Sequence, residues 1–256
     1  IERQLADMDS FALKPAKGSG GKGIVVVIGR KGDDFVRSSG ALLSLTDIRR
    51  HMSNILAGLY SLGGASDVAI VEDLVAFDDC FSGYSYEGVP DIRIIVFQGY
   101  PVMAMLRLAT HASDGKANLH QGAVGVGLSL DDGRCLNAVQ FSKVVKIHPD
   151  TERPLSDIHV PGWRDILILA AQCHDMTGLG YIGTDLVLDK ALGPQLLELN
   201  ARPGLSIQVA NGRGLLPRLR HIESLAGSRR LSPEQRVDYC MRHFVAVGGQ
   251  SQPGIL

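Results

Sequence analysis

The chain is poor in cysteine, with four thiols spread over 256 residues: Cys80, Cys135, Cys173 and Cys240. Their wide spacing matches neither a CxxC metal clip nor the dense cysteine framework of a small disulfide-rich domain. Scattered thiols of this kind are typical of a reducing compartment, so the sequence predicts a cytoplasmic location.

Long apolar runs and an excess of charge of one sign are also missing. No uninterrupted apolar stretch approaches the roughly 20 residues that a membrane helix needs, and no signal peptide opens the chain. Lys and Arg total 26 against 27 Asp and Glu, which leaves a net charge of -1. This balance removes the electrostatic basis for nucleic-acid binding or a polybasic membrane anchor. The sequence therefore predicts neither a nucleic-acid partner nor a membrane segment.

Apolar residues and glycines, by contrast, are plentiful. A hydrophobic content of 45% can form the core of one large domain or two joined ones. Helical spacing predicts a helix over 46–63, with Thr46 as its N-cap and Gly63 at its end, and another over 163–177. Helices mixed with antiparallel hairpins favour the α+β class over a doubly wound parallel sheet.

A glycine loop lies near the start, between an apolar stretch over 10–14 and a β-branched run over 24–28. A strand rather than a helix follows the glycines, which excludes the dinucleotide fingerprint, and Gly23 stands where a Walker A loop needs Ser or Thr. Two interpretations remain. The loop is an ordinary hairpin turn, or its backbone N–H groups close over phosphates with help from Lys14 and Lys22.

Two acids and an amide occupy what we predict to be a hairpin. If Leu188 lies opposite Gln195, the same register places Asp185 opposite Glu198, with Cβ atoms roughly 4.5 to 5.5 Å apart. Asn200 then shares their face of the sheet. Such oxygen donors suit Mg²⁺ bound together with phosphates, whereas the alternative is a pair of solvent-facing acids.

A second predicted hairpin runs over 92–97 and 101–106, with its turn over 98–100. Asp91 and Arg93 share a face at its start, and Arg107 stands at its end. An arginine placed there can bind a phosphate or stabilise the developing charge of an acyl-phosphate. The alternative is a structural ion pair.

Taken in order, the motifs resemble the ATP-grasp superfamily. Within it they are most similar to the alpha-L-glutamate ligase-like relatives of the enzymes that extend the C-terminus of a ribosomal protein. The resemblance covers Phe11 to Asn211. The motifs that carry it are Phe11-Ala12-Leu13-Lys14-Pro15, the glycine loop, Val71-Glu72-Asp73-Leu74-Val75, Asp91-Ile92-Arg93, Asn118-Leu119-His120-Gln121-Gly122, Gly183-Thr184-Asp185 and Leu197-Glu198-Leu199-Asn200.

The resemblance implies two α+β subdomains with ATP bound between antiparallel sheets. Residues 1–74 would form the small subdomain with the glycine loop, and residues 75–256 the C-terminal subdomain with the metal ligands. Lys14 would bind the α-phosphate. The other implied nucleotide contacts are Gly18, Ser19, Gly20, Gly21, Lys22 and Gly23 around the β- and γ-phosphates, Glu72, Asp73 and Leu74 at the adenine edge, and Asp78 or Asp79 at the ribose.

The implied reaction turns a carboxylate into an acyl-phosphate, which an amine then attacks to give an amide. Arg93 and Arg107 would stabilise the transferring phosphoryl group, in a reaction that depends on positioning and electrostatic stabilisation. The implied ligands of Mg²⁺, with Mn²⁺ as an alternative ion, are Asp185, Glu198 and Asn200. The implied substrate contacts are Asn118, His120, Arg202 and Gly204.

Other functions remain open at this stage. A small-molecule kinase on the same scaffold would release a stable phosphorylated product, and a regulatory module would bind ATP without turnover. The presence of Lys14, Arg93 and Asp185 disfavours the second of these. Relatives carry a further N-terminal domain, so we expect part of the acceptor site to lie outside this chain. An amino acid, a peptide and a cell-envelope sugar derivative all remain candidate acceptors, and homo-oligomerisation is left open.

Overall fold

The computed structural model describes residues 5, 8–18, 21–37, 39–86, 88–225 and 231–245. They belong to two compact units, Ile1–Val75 and Ala76–Leu256. Within these described ranges, no helix combines the length and apolar character that crossing a bilayer requires.

The described residues of the first unit include an α-helix and a five-stranded sheet, whose strands follow the order 4-3-2-1-5 when numbered along the chain. A short 3-10 turn, Leu62–Gly64, follows the helix. The elements are β1 (Phe11–Pro15), β2 (Val25–Lys31), β3 (Asp34–Arg37), β4 (Leu42–Leu43), α1 (Leu45–Leu56) and β5 (Ala69–Glu72).

The strands on either side of the glycine loop are neighbours in this sheet. Phe11 lies opposite Val27 and Leu13 opposite Val25, in an antiparallel pair. Phe11 and Leu13 are fully buried, and they pack with Ile48 of α1 in the core of the unit. The predicted arrangement of strand, glycine loop and strand is therefore confirmed.

Helix α1 begins earlier and ends earlier than predicted. Its N-cap is Ser44, not Thr46, because Ser44 and Asp47 form a capping box in which each side chain accepts the other's backbone N–H. The helix ends at Leu56, seven residues before Gly63. At Gly58 the chain has φ +82° and lies so close to the backbone of Ala65 that no side chain fits.

The second unit is built on a seven-stranded antiparallel sheet with the order β10-β9-β8-β7-β6-β11-β12. Its strands are β6 (Asp91–Phe97), β7 (Tyr100–Leu108), β8 (Val124–Leu128), β9 (Cys135–Gln140), β10 (Lys143–Val144), β11 (Tyr181–Asp189) and β12 (Gly193–Asn200). Its helices are α2 (Trp163–Thr177), α3 (Ser206–Asn211), α4 (Leu216–Ser224) and α5 (Pro233–His243). Short 3-10 turns are found at Asp79–Phe81, His111–Ser113, Leu119–Gln121 and Leu155–Asp157.

Two sequence predictions in this unit are confirmed. Helix α2 covers the predicted residues and ends at Gly178, whose φ is +70°. Strands β6 and β7 form the predicted hairpin, but its turn contains only Gln98 and Gly99, both at positive φ, while Tyr100 already belongs to β7. A two-residue turn of this kind matches the right-handed twist of the strands.

We predict that Ser44→Ala lowers the free energy of unfolding of the first unit by about 1 kcal/mol, because the substitution removes the N-cap acceptor and leaves the Asp47 N–H without it. Urea denaturation followed by circular dichroism would measure this. Thr46→Ala is the matched control, since Thr46 is exposed and should change the value by less than about 0.5 kcal/mol. An equal loss in both variants would contradict the cap assignment.

Candidate functional site

The register of the seven-stranded sheet brings charged side chains together on one face. Glu198 lies opposite Asp185, and Asp185 lies opposite Arg93 on the next strand. Two residues before Arg93 on the same strand, Asp91 lies opposite Arg107. Cross-strand partners share a face, and so do residues two apart on a strand. Four strands therefore present these groups to the same surface.

The predicted pairing of Asp185 with Glu198 is confirmed, although the register from which it was argued is wrong. The hairpin pairs Leu188 with Pro194, one residue short of the predicted register. The register then shifts between Asp185 and the next residue of β11, which leaves Leu197 as an extra, bulged residue in β12. The bulge restores the pairing that the sequence argument required.

Asp185 is the centre of a network of hydrogen bonds. Its side chain is 4% exposed. Arg93 Nε donates to Oδ1 at 2.7 Å, Arg107 Nη2 donates to Oδ2 at 2.9 Å, and Asn200 Nδ2 donates to Oδ2 at 3.2 Å. Arg107 Nη2 also donates to Asp91 Oδ2 at 2.7 Å, so a single guanidinium bridges two aspartates. Asp91, Arg93, Arg107 and Asp185 are called the arginine–aspartate cluster below.

Burial and ion pairing shift the pKa values of the two aspartates in this cluster in opposite directions. Burial raises the pKa of Asp91 to about 6, against the attraction of Arg107. Burial also acts to raise the pKa of Asp185, but the hydrogen bonds and charges of Arg93 and Arg107 outweigh it and hold that pKa below its usual range. The aspartates raise the pKa of Arg107 against the effect of its own burial. At neutral pH the cluster therefore contains two carboxylates and two guanidinium cations.

The predicted metal ligands are placed at the edge of this network. Glu198 is exposed and Asn200 half-buried, on the same face as Asp185. In the part of the chain that the structure describes, no group of three or more His, Cys, Asp or Glu side chains is arranged to hold a metal ion. The predicted set has two carboxylates and one amide, which are the hard oxygen donors that Mg²⁺ takes. Its donor chemistry fits that ion.

In the first unit, the predicted phosphate-binding lysine forms an ion pair. Lys14 Nζ lies 2.7 Å from Glu72 Oε2, in side chains that are 20% and 42% exposed. Lys14 stands on β1 opposite Ile70 of β5, two residues before Glu72. Asp73 and Leu74 follow β5 without regular secondary structure. Lys14 and the predicted adenine-binding segment therefore lie on adjoining strands.

The glycine loop is fixed at the end that follows β1. Gly18 pairs with Ser61 in an isolated β-bridge. Asp67 accepts the backbone N–H of Lys17 at 3.0 Å and the hydroxyl of Ser61 at 2.7 Å. Two residues of the predicted phosphate loop lie outside the described residues: Ser19 and Gly20.

The other end of the loop is fixed as well. A Cβ atom at Gly23 would come within 2.5 Å of the Tyr60 ring, so only glycine fits there. His51 Nε2 lies 2.8 Å from the carbonyl oxygen of Gly23. The two ends of the loop are thus fixed, while Gly21 and Lys22 between them are exposed.

The remaining predicted residues lie apart from these networks. Asp79 pairs with Lys190 at 2.6 Å, in two exposed side chains. Asn118 accepts the backbone N–H of His120 at 3.0 Å, which begins the 3-10 turn of that loop. Arg202 and Gly204 are exposed in the segment after β12. Their roles at the ribose or the substrate stay predictions.

Residues 1–224 match the model of the sugar-transfer associated ATP-grasp family, and the chain belongs to that family. The α+β ATP-grasp fold expected from the sequence is thereby confirmed. The two antiparallel sheets, each with its helices, are the structural form that the fold takes here.

Several proteins of known name are similar to the chain over part of their length. A probable alpha-L-glutamate ligase from Aeromonas salmonicida (strain A449) is 26% identical over 146 residues, which are 57% of this chain and 38% of that protein. The D-cycloserine synthetase DcsG aligns with a TM-score of 0.42 and 15% identity, over 88% of this chain and 57% of that one. A D-alanine–D-alanine ligase from Bacillus anthracis aligns with a TM-score of 0.38 and 12% identity, over 94% and 56%. The chain thus spans less than two thirds of each.

Asp185→Asn should lower the free energy of unfolding of the second unit by about 3 kcal/mol, because it removes the carboxylate that binds both arginines and leaves the cluster with an excess positive charge. Asp238→Asn is the control. Asp238 also binds an arginine through both oxygens, Arg164 in this case, but its side chain is 44% exposed. That variant should lose less than about 1 kcal/mol. Urea denaturation would measure both values. An equal loss of unfolding free energy in the two variants would mean that burial does not strengthen the ion pairs of the cluster.

Proposed function

We propose that this chain is the ATP-binding and phosphoryl-transferring part of a carboxylate–amine ligase, which forms an amide through an acyl-phosphate. Support comes from the arginine–aspartate cluster, which lies beside Glu198 and Asn200 on one sheet face of an ATP-grasp chain. The name of the relative from Aeromonas salmonicida, a probable alpha-L-glutamate ligase, supports the same reaction class. The acid–amino-acid subtype of this reaction is part of the proposal.

The two arginines are suited to a transferring phosphoryl group. Arg93 and Arg107 use Nε and Nη2 to bind the aspartates. Among the described residues, neither Nη1 donates a hydrogen bond, and the two arginine side chains keep some exposure, at 13% and 12%. Each arginine is held rigidly by a carboxylate and keeps an N–H pair for an incoming oxygen. Donors fixed in advance are what stabilise a charge that develops in the transition state.

Glu198, Asn200 and Asp185 would hold Mg²⁺, or Mn²⁺ as an alternative ion. When bound, the metal neutralises phosphate charge and orients the phosphate oxygens. Glu198 is the most exposed of the three side chains and therefore the most accessible to an ion that arrives with the nucleotide. We assign Glu198 the largest share of the metal affinity.

For the nucleotide, Lys14 would leave Glu72 for a phosphate oxygen, and the exposed residues Gly21 and Lys22 would cover the phosphates. The backbone of Asp73 and Leu74 would meet the adenine edge, with Asp79 at the ribose. Asn118, His120, Arg202 and Gly204 would contact the substrates. An amino acid or peptide would be one of the two substrates that are joined, as the name of the glutamate ligase relative favours.

The reaction class can be tested by supplying pools of carboxylates and amines with ATP and Mg²⁺, measuring ADP, and identifying products by mass. Hydroxylamine converts an acyl-phosphate into a hydroxamate, so a hydroxamate formed without an amine supports the proposed intermediate. A stable phosphorylated product would instead indicate a kinase. ATP binding without ADP formation in any pool would contradict the ligase.

Lys14→Ala should weaken ATP binding by about 1.5 to 3 kcal/mol, the usual contribution of a hydrogen bond to a charged group. Isothermal titration calorimetry would measure this directly. Lys31→Ala removes an equal charge from an exposed position on β2 and should leave the affinity unchanged. An unchanged affinity in the Lys14 variant places this lysine outside the nucleotide site.

Glu198→Gln should reduce ADP formation by roughly 100-fold or more, while ATP binding falls much less, because the lost charge acts mainly on the transition state. The shape of the side chain is kept, so the melting temperature should move by only a few degrees. Glu223→Gln, at an exposed position on α4, is the control and should keep full activity. A folded Glu198 variant with more than about a third of the normal rate would overturn the metal assignment.

A further inference from the structure

A separate pocket of about 310 Å³ opens in the second unit, between the 118–122 loop, the β9–β10 hairpin and the start of α3. Its polar groups are the imidazole of His120 and the hydroxyls of Ser142 and Ser206, and the rest of its lining is apolar. None of the described residues that line it is Lys, Arg, Asp or Glu. The pocket is therefore lined by four apolar side chains, two hydroxyls and one imidazole.

The sheet register places this pocket beside the arginine–aspartate cluster. Arg107 lies opposite Gly125, and Gly125 lies opposite Val139, which lines the pocket. Leu119, another lining residue, covers Gly125 so closely that a Cβ atom there would lie 2.6 Å from its Cδ2. Two strand spacings separate Arg107 from Val139, which is about 10 Å. The pocket and the cluster share one sheet face.

One wall of the pocket is a strained turn. Phe141 and Ser142 join β9 to β10 with φ of 49° and 61°. A two-residue turn with both φ values positive normally contains Asn-Gly, because a bulky side chain is unfavourable in this conformation. Phe141 is nonetheless 61% exposed, so burial of its ring does not explain its presence. Strain of this kind is concentrated at binding sites.

The turn lies against Gly122, which is held by two hydrogen bonds. Gln140 Nε2 and Thr110 Oγ1 both donate to the carbonyl oxygen of Gly122, at 2.8 and 2.9 Å. A Cβ atom at Gly122 would lie 2.7 Å from Cζ of Phe141, so the ring lies directly over a position that only glycine can occupy. The aromatic ring is thus fixed before any ligand arrives, as in preformed ligand sites.

We infer that this pocket binds an uncharged sugar ring of the acceptor substrate, with the apolar face of the sugar on Phe141 and its hydroxyls bonded to Ser142, Ser206 and His120. The inference rests on the proposed ligase function, since it assigns the pocket to the acceptor. The hydroxyls of a sugar can hydrogen-bond to these side chains, whereas a carboxylate or ammonium group would meet no Lys, Arg, Asp or Glu among the described lining residues. The volume lies at the lower end of the range for small-ligand sites. An acidic acceptor group is correspondingly disfavoured in this pocket.

Binding can be measured on the whole chain without any turnover, by saturation-transfer NMR and titration with four probes. Methyl glucoside is the neutral ring, and methyl glucuronide has the same ring with a carboxylate. L-glutamate and L-leucine represent an acidic and an apolar amino acid. We expect methyl glucoside to bind with a Kd in the range of about 1 mM, as is usual for a fragment, and about tenfold more tightly than the other three. No glucoside binding, or equal or tighter binding of any other probe, overturns the inference.

Substitutions locate the site and separate it from folding. Phe141→Ala should weaken glucoside binding about tenfold through loss of the stacking contact. Val144→Ala, on the same hairpin and also exposed, should leave binding unchanged. The double change Phe141→Asn with Ser142→Gly should raise the melting temperature by a few degrees while it weakens binding as much as Phe141→Ala does. Unchanged binding in the more stable double variant contradicts the role of Phe141, whatever ADP formation shows about the ligase.

Discussion

The candidate site depends on the neutralisation of one buried carboxylate. Asp185 is almost fully buried in the sheet, where an unpaired charge would cost several kcal/mol. Arg93 and Arg107 balance it, and Asp91 in turn holds Arg107. This balance requires β6, β7 and β11 to keep one register, because a slip of one residue would turn every side chain to the other face. The charge balance at Asp185 therefore depends on the register of these strands, and a buried Asp185 in turn requires that register.

The same balance limits what the site can accept. Two carboxylates and two guanidinium groups give the cluster no formal net charge, so an incoming phosphate adds uncompensated negative charge. A divalent cation that arrives with the phosphate would restore the balance, and the exposed carboxylate of Glu198 lies on the face where that cation would be held. In the proposed ligase, the neutral cluster thus supplies rigid hydrogen-bond donors, while the metal supplies the net charge.

Sequence patterns predicted those features that depend on local alternation and spacing. The β6–β7 hairpin and helix α2 follow from periodicity. Details that depend on individual backbone groups were missed. The capping box of Ser44 was overlooked in favour of Thr46, and the pairing at Asp185 came out right only because a bulge at Leu197 compensated for an incorrect register. Bulges and caps are decided by single hydrogen bonds, which a hydrophobic pattern does not record.

Two hairpins of the same sheet show where a local sequence rule fails for a reason. The turns at Gln98–Gly99 and at Phe141–Ser142 both contain two residues with positive φ. The first follows the usual preference, with glycine in its second position, and the second does not. Sequence reasoning could not find the second turn, since neither Phe nor Ser indicates such a conformation. An exposed aromatic ring kept there against backbone preference, over a glycine that leaves room for it, is explained if the ring contacts a ligand rather than the core.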